Sequence, residues 1–187
     1  MDFIRTLRLA AWAAGLSWAA ASCISPPDYP DTPSIEFKEM KVQRVDSTTG
    51  VFDRVIITVS FKDGDGDLGL SPTDTLAPYN EFTDRATRTR NLDHFNYFIQ
   101  PQIKQGNRFV DFVNPPPGFR GEYNSRFPRL EPNADKEAPL RGDLNFKQTF
   151  YLGAEFQPGD EVRFVISIKD RALNQSNTVT TSSFVVQ

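Results

Sequence analysis

Apolar and polar residues alternate along most of this chain. The clearest case is residues 54–62, where Val55, Ile57, Val59 and Phe61 share one face and Ile56, Thr58, Ser60 and Lys62 share the other. A period of two predicts a strand with one buried face. Upstream, Ile35 and Phe37 alternate, and so do Met40 and Val42, with one extra residue between the pairs. That slip predicts a β-bulge. Ser47-Thr48-Thr49-Gly50 supplies the turn between these two strands. Residues 95–105 and 108–113 are strand-like on either side of Gly106-Asn107, a two-residue hairpin loop with Gly where positive φ is required. Residues 146–152 predict another strand. After the turn Gln157-Pro158-Gly159-Asp160, Val162, Phe164, Ile166 and Ile168 line one face, and residues 178–186 predict a last strand. The expected fold is all-β: a single antiparallel immunoglobulin-like β-sandwich of about seven strands over residues 35–187, with long loop insertions. The disulfide and buried Trp of antibody domains have no counterpart, since both Trp residues precede residue 22.

Two insertions interrupt the strands. Residues 71–93 carry Arg85, Arg88 and Arg90 among Glu81, Asp84 and Asp93, and such mixed charge predicts a solvated loop or a short exposed helix rather than a basic binding patch. After Asn114-Pro115-Pro116-Pro117-Gly118 regular structure stops, and the segment to residue 142 is expected to be irregular. Its aromatics Phe119, Tyr123 and Phe127 either fold back to cap the core or form a surface for a ligand or protein partner.

The N-terminus is an address. Arg5 and Arg8 precede an apolar run, residues 9–21, that falls short of the roughly 20 residues a bilayer span needs. This pattern predicts a secretory signal. Cys23, the chain's one cysteine, follows Ala20-Ala21-Ser22. These small residues before a cysteine resemble the lipobox of bacterial lipoproteins, which implies cleavage after residue 22 and acylation of Cys23. The expected organisation is therefore a signal peptide (1–22), a lipidated cysteine with a Pro-rich tether (23–34) and the sandwich (35–187). Pro26, Pro27, Pro30 and Pro33 exclude a helix or central strand in the tether. As extended polyproline II it would span about 34 Å, at about 3.1 Å per residue. The net charge of −3 over 187 residues gives no pull toward nucleic acid.

Candidate chemistry sits in Asp63-Gly64-Asp65-Gly66-Asp67-Leu68-Gly69, directly after the clearest strand. Carboxylates at positions 1, 3 and 5 suit a calcium ion, which takes about six to eight oxygens. Leu68 stands where an EF-hand needs Gly, and a strand rather than a helix comes before, so this is no EF-hand. Strands two and six of the sandwich would end at the same pole. Asp170 and Asn174 would then lie near Asp63, Asp65 and Asp67, and a structural Ca²⁺ is expected there. The competing expectation is a set of tight turns in which Asp side chains bond their own backbone. Catalysis is not expected. His94 is the one histidine, and no nucleophile elbow, zinc spacing or phosphate loop is present.

Phe61-Lys62-Asp63-Gly64-Asp65-Gly66-Asp67-Leu68-Gly69 and Val165-Ile166-Ser167-Ile168-Lys169-Asp170-Arg171-Ala172-Leu173-Asn174-Gln175-Ser176-Asn177 resemble segments of small outer-membrane lipoproteins of the Bacteroidota. Those proteins carry a signal, a lipid cysteine and one immunoglobulin-like or fibronectin-III-like domain. The resemblance implies a lipid-anchored outer-membrane location, on either its periplasmic or its surface side. The functional expectation is a non-catalytic binding or accessory module for an envelope protein complex. The alternative is a carbohydrate-binding module of a cell-surface glycan system, working through Phe119, Tyr123 and Phe127.

Overall fold

The computed structural model describes residues 27–48, 50–113, 121–130, 137–151 and 153–187. Cys23, Phe119 and the expected signal peptide lie outside these residues. The strands are β1 (Ser34–Ser47), β2 (Gly50–Asp63), the short β3 (Phe82–Asp84) and β4 (Thr89–Arg90), β5 (Tyr97–Gln105), β6 (Arg108–Asp111), β7 (Leu140–Tyr151), β8 (Glu161–Ile168), β9 (Val179–Thr180) and β10 (Phe184–Val185). The described residues contain no α-helix, only a 3₁₀ turn at Leu92–His94.

Two antiparallel sheets form a sandwich. One has the order β1-β2-β7 and the other β10-β8-β5-β6, with β9 also on β8. Apart from the small β3–β4 hairpin, the first, second and fifth strands make one sheet and the rest make the other. This is the A-B-E and C-F-G grouping of immunoglobulin-like sandwiches. The predicted bulge is present: the β1–β2 register shifts between Phe37 and Glu39. It keeps Ile35, Phe37, Met40, Val42 and Arg44 opposite Phe61, Val59, Ile57, Val55 and Asp53, all on the inward face. The hairpin loop at Gly106-Asn107 joins β5 to β6 with Gln105 opposite Arg108, and Gly106 has φ 61°.

β7 corrects the sequence reading. It begins at Leu140, six residues before the predicted start, because its first half pairs with β2 from Asn145↔Thr58 to Leu140↔Asp63. The loop before it is correspondingly shorter. The core lies between Val55, Ile57, Val59 and Phe61 of β2 and Val162, Phe164, Ile166 and Ile168 of β8. Burying one such side chain contributes about 1.5–3 kcal/mol relative to exposure. Aromatic pairs join the two sheets: Tyr97 of β5 stacks on Phe146 of β7 at 4.6 Å, and Phe164 of β8 on Phe150 of β7 at 5.5 Å.

Tyr123 and Phe127 pack on this core, with Tyr123 5.3 Å from Phe150 between ring centroids. Asn96 fixes the segment that carries them: its amide donates to the Phe127 carbonyl and accepts from the Phe127 amide, at 2.9 and 2.8 Å. Of the two expectations for these aromatics, Tyr123 and Phe127 meet the core-capping one. Residues 71–95 are mostly exposed, in keeping with the expected solvated loop, but they also hold a short β-hairpin and a 3₁₀ turn that the sequence reading did not foresee. Arg88 and Arg90 lie over Phe82, and Arg90 pairs with Glu81 at 3.2 Å, so the mixed charges are partly spent within the insertion.

Candidate metal centre

β2 has an inward parity that reads Asp53, Val55, Ile57, Val59, Phe61, Asp63. Four apolar side chains enter the core with a buried carboxylate at each end. Asp53 is matched by Arg44, which crosses from β1 with two bonds of 2.6 and 3.0 Å. Asp63 has no such match. It is 0% exposed, and neither carboxylate oxygen has a hydrogen-bond partner. An unpaired buried charge is costly, and the usual remedies are protonation, an opposite charge or a metal ion.

The chain then turns so that Asp65 and Asp67 come back toward Asp63. One carboxylate oxygen from each of the three lies within 4.8 Å of the others. Two close approaches impose this turn. A Cβ on Gly64 would fall 2.3 Å from the Tyr29 carbonyl oxygen, and Gly66, at φ 72°, would place one 2.1 Å from the Ala138 carbonyl oxygen. Only glycine fits at either position. Backbone bonds fasten the loop at both contacts: the Gly64 amide donates to Pro30 at 2.9 Å, and the Ala138 amide donates to Asp65 at 3.1 Å. The end of the Pro-rich segment is thus seated on the acidic loop.

The loop after β8 arrives at the same pole, as the sandwich topology requires. Leu68 and Asp170 form an antiparallel bridge. Asp67 accepts the amides of Arg171 and Ala172 at 3.3 and 2.9 Å. Asp170 is buried, but its two oxygens accept the backbone amide and side-chain amide of Asn174 at 2.7 and 2.9 Å. The structure therefore brings all five sequence-predicted residues to one end of the sandwich and divides them. Asp63, Asp65 and Asp67 converge, while Asp170 and Asn174 bind each other beside them. Two local bonds are of the kind the tight-turn expectation foresaw: Asp65 accepts the Asp67 amide at 3.3 Å and Asp170 the Asn174 amide at 2.7 Å. The bonds of Asp67 instead reach across to the loop after β8, and Asp63 accepts none.

The electrostatics follow from this crowding. Burial first, then the charges of Asp65, Asp67 and Asp170, push Asp63 up to about 7, while the Asp67 amide, near it but outside hydrogen-bond geometry, eases the shift. Burial and Asp65 also raise Asp67, eased in part by the Ala172 amide and by Arg171. Asp170 is raised by its burial, against the favourable bonds from Asn174. The donors are oxygen alone, with no histidine or cysteine in the cluster. Such a set suits a hard cation.

His94, set aside as a catalytic residue in the sequence, has its Nδ1 3.0 Å from the Tyr79 carbonyl and 3.2 Å from Arg126. Sequence reasoning missed Tyr79, whose hydroxyl donates to the Arg171 carbonyl and so fastens the 71–95 insertion to the acidic pole. Nothing in a lone tyrosine inside a polar stretch signals such a contact. Compared with protein-family models, curated proteins and solved structures, the chain finds no match in any of the three.

Proposed function

We propose that this protein is a lipid-anchored, non-catalytic binding or accessory module of the outer membrane, serving a protein partner in an envelope complex. The observation that supports this most is the seating of Pro30 on Gly64. With the anchor at Cys23, the seven residues from Ile24 to Pro30 carry the chain from the lipid to the first fixed point of the domain. Fully extended, they would reach roughly 22 Å at about 3.1 Å per residue. The sandwich is then held near the bilayer with its acidic pole facing inward, and it meets partners through its flanks and far end.

The flank best suited to this is β1. It ends its sheet and pairs with β2 alone along its length. Near its start the backbone is already occupied, because Ile35 bonds the Asn177 side chain at 2.8 and 2.9 Å. Beyond the bulge, an incoming strand can add to the open edge. Lys38, Glu39, Lys41 and Asp46 lie along that edge and discourage pairing between identical copies.

The test has two parts. The mass of the mature protein must show residue 23 as an acylated N-terminus; an unmodified Cys23 in a soluble protein refutes the anchor. A photo-crosslinker in place of Gln43 must capture an envelope protein that the same probe at exposed Gln157, on the β7–β8 loop, does not. Equal capture at both positions removes β1 as the contact.

A further inference from the structure

We infer that Asp63, Asp65 and Asp67 bind one calcium ion, and that this ion completes the pole where the tether, the β2 loop and the β8 loop meet. The inference does not depend on lipid anchoring. Three carboxylates alone would not establish a site. The independent observation is Asp63, fully buried, without a hydrogen-bond partner, and with its carboxylate directed at Asp65 and Asp67. The far end of the same strand shows how the fold treats a buried carboxylate when no ion is involved: Arg44 clamps Asp53 with two bonds. Among the described residues, no lysine or arginine does this for Asp63.

Donor chemistry selects the ion. Calcium takes about six to eight oxygens at about 2.3–2.6 Å in irregular arrangements, whereas magnesium demands a strict octahedron at about 2.0–2.1 Å and keeps several of its waters. One oxygen from each of the three carboxylates lies within 4.8 Å of the others, close enough for a single cation to gather them. Gly64 and Gly66, packed against the backbones of Tyr29 and Ala138, hold the loop backbone in that arrangement. Asp170 and Asn174 act as positioning residues. Their mutual bonds shape the loop whose Arg171 and Ala172 amides hold Asp67 in place.

The experiment uses the full-length protein in detergent, stripped with chelator. Calcium is titrated calorimetrically, and melting is followed with and without it. Terbium is a parallel probe, because Tyr79, which lies close enough to Asp67 and Asp170 to feel their charge, can sensitise its emission. The expected result is one calcium per chain, a melting temperature higher by several degrees and reversed by chelator, and tyrosine-sensitised terbium emission that calcium displaces. Asp65→Asn with Asp67→Asn should abolish all three in a chain that still folds, since both residues are only half-buried. Asp160→Asn, in the turn before β8, should change none of them. A folded wild-type chain with no binding heat and no melting shift overturns the inference. So does a shift that survives the double substitution. An equal response to magnesium at the same concentration overturns the assignment of calcium.

Discussion

Asp53 and Asp63 stand at opposite ends of one inward face of β2; Arg44 neutralises Asp53, whereas Asp63 is buried without a partner. The two aspartates should therefore respond in opposite ways to the same change. Asp53→Asn weakens a charge-assisted pair and leaves the Arg44 guanidinium, about one-third exposed, without its carboxylate. It should cost about 1.5–3 kcal/mol, the range for hydrogen bonds to charged groups. Asp63→Asn removes an unmatched buried charge. In chelator near pH 8 it should raise the melting temperature, by about 2–4 °C for each kcal/mol gained in a chain of this size. Paired thermal melts of the two variants check the contrast, and the same sign for both would contradict it.

The acidic pole also sets a pH dependence for the metal-free protein. Asp63 ionises at about 7 when folded, and an unperturbed aspartate ionises near 3.9. Asp65 and Asp67 face it from its own loop, and Asp170 from the loop after β8; Arg171 eases Asp67. Between those pH values the folded chain keeps a proton that the unfolded chain has released. Stability from this group is complete below pH 4 and is lost as pH rises toward 7, by at most about 1.4 kcal/mol per pH unit. Asp74, Asp84 and Glu161 are held below the ordinary carboxylate range by their hydrogen bonds and cations. Their contribution has the opposite sign, being lost as pH falls through the acid range, so it cannot produce a decline toward neutral pH. Melting temperatures in chelator should fall from pH 5 to pH 7.5, and excess calcium should remove the decline. A flat or rising profile in chelator would contradict the placement of Asp63.

Gly64→Ala tests the seat of the tether. The added methyl would meet the Tyr29 carbonyl oxygen at 2.3 Å and Pro30 at 2.8 Å, all backbone atoms that cannot rotate away. Overpacking of this kind costs about 1–3 kcal/mol, and the cheapest relief is release of the tether. Limited proteolysis should cut the variant near residues 27–33 much faster than the wild type, while the sandwich melts only a few degrees lower. Unchanged cleavage would mean that the Gly64–Pro30 contact does not hold the tether.

The parts of this fold that were legible in the sequence are those that bury one face of a paired strand. β2 and β8 carry strict alternation because each packs an inward row against the other, and the bulge in β1 was visible as one extra residue between apolar pairs. The first half of β7 was not legible. Leu140-Arg141-Gly142-Asp143-Leu144-Asn145 has two apolar residues four apart, and this edge segment is specified by its pairing with β2. Likewise, the convergence at the acidic pole followed from topology, since β2 and β8 end together. The mutual binding of Asp170 and Asn174 did not follow, because it depends on a local turn rather than on strand order.

The 71–95 insertion was illegible for another reason: side chain to backbone bonds hold it, and these leave no period. Asn91 is the centre of that arrangement. Its amide nitrogen donates to the carbonyls of Pro78 and Asn80 at 2.6 and 2.8 Å, its oxygen accepts the Asp93 amide at 3.1 Å, and its own amide donates to Glu81 at 3.0 Å. Asn91→Ala keeps the last of these and loses the rest, leaving the Pro78 and Asn80 carbonyls without that donor. Losing a buried partner costs about 1–3 kcal/mol, but here the loss falls on an insertion that packs little of the core. Hydrogen exchange should therefore accelerate across residues 78–94 while β2 and β8 keep their protection. A uniform loss of protection would mean that the insertion and the sandwich unfold as one cooperative unit, and that Asn91 supports the whole domain.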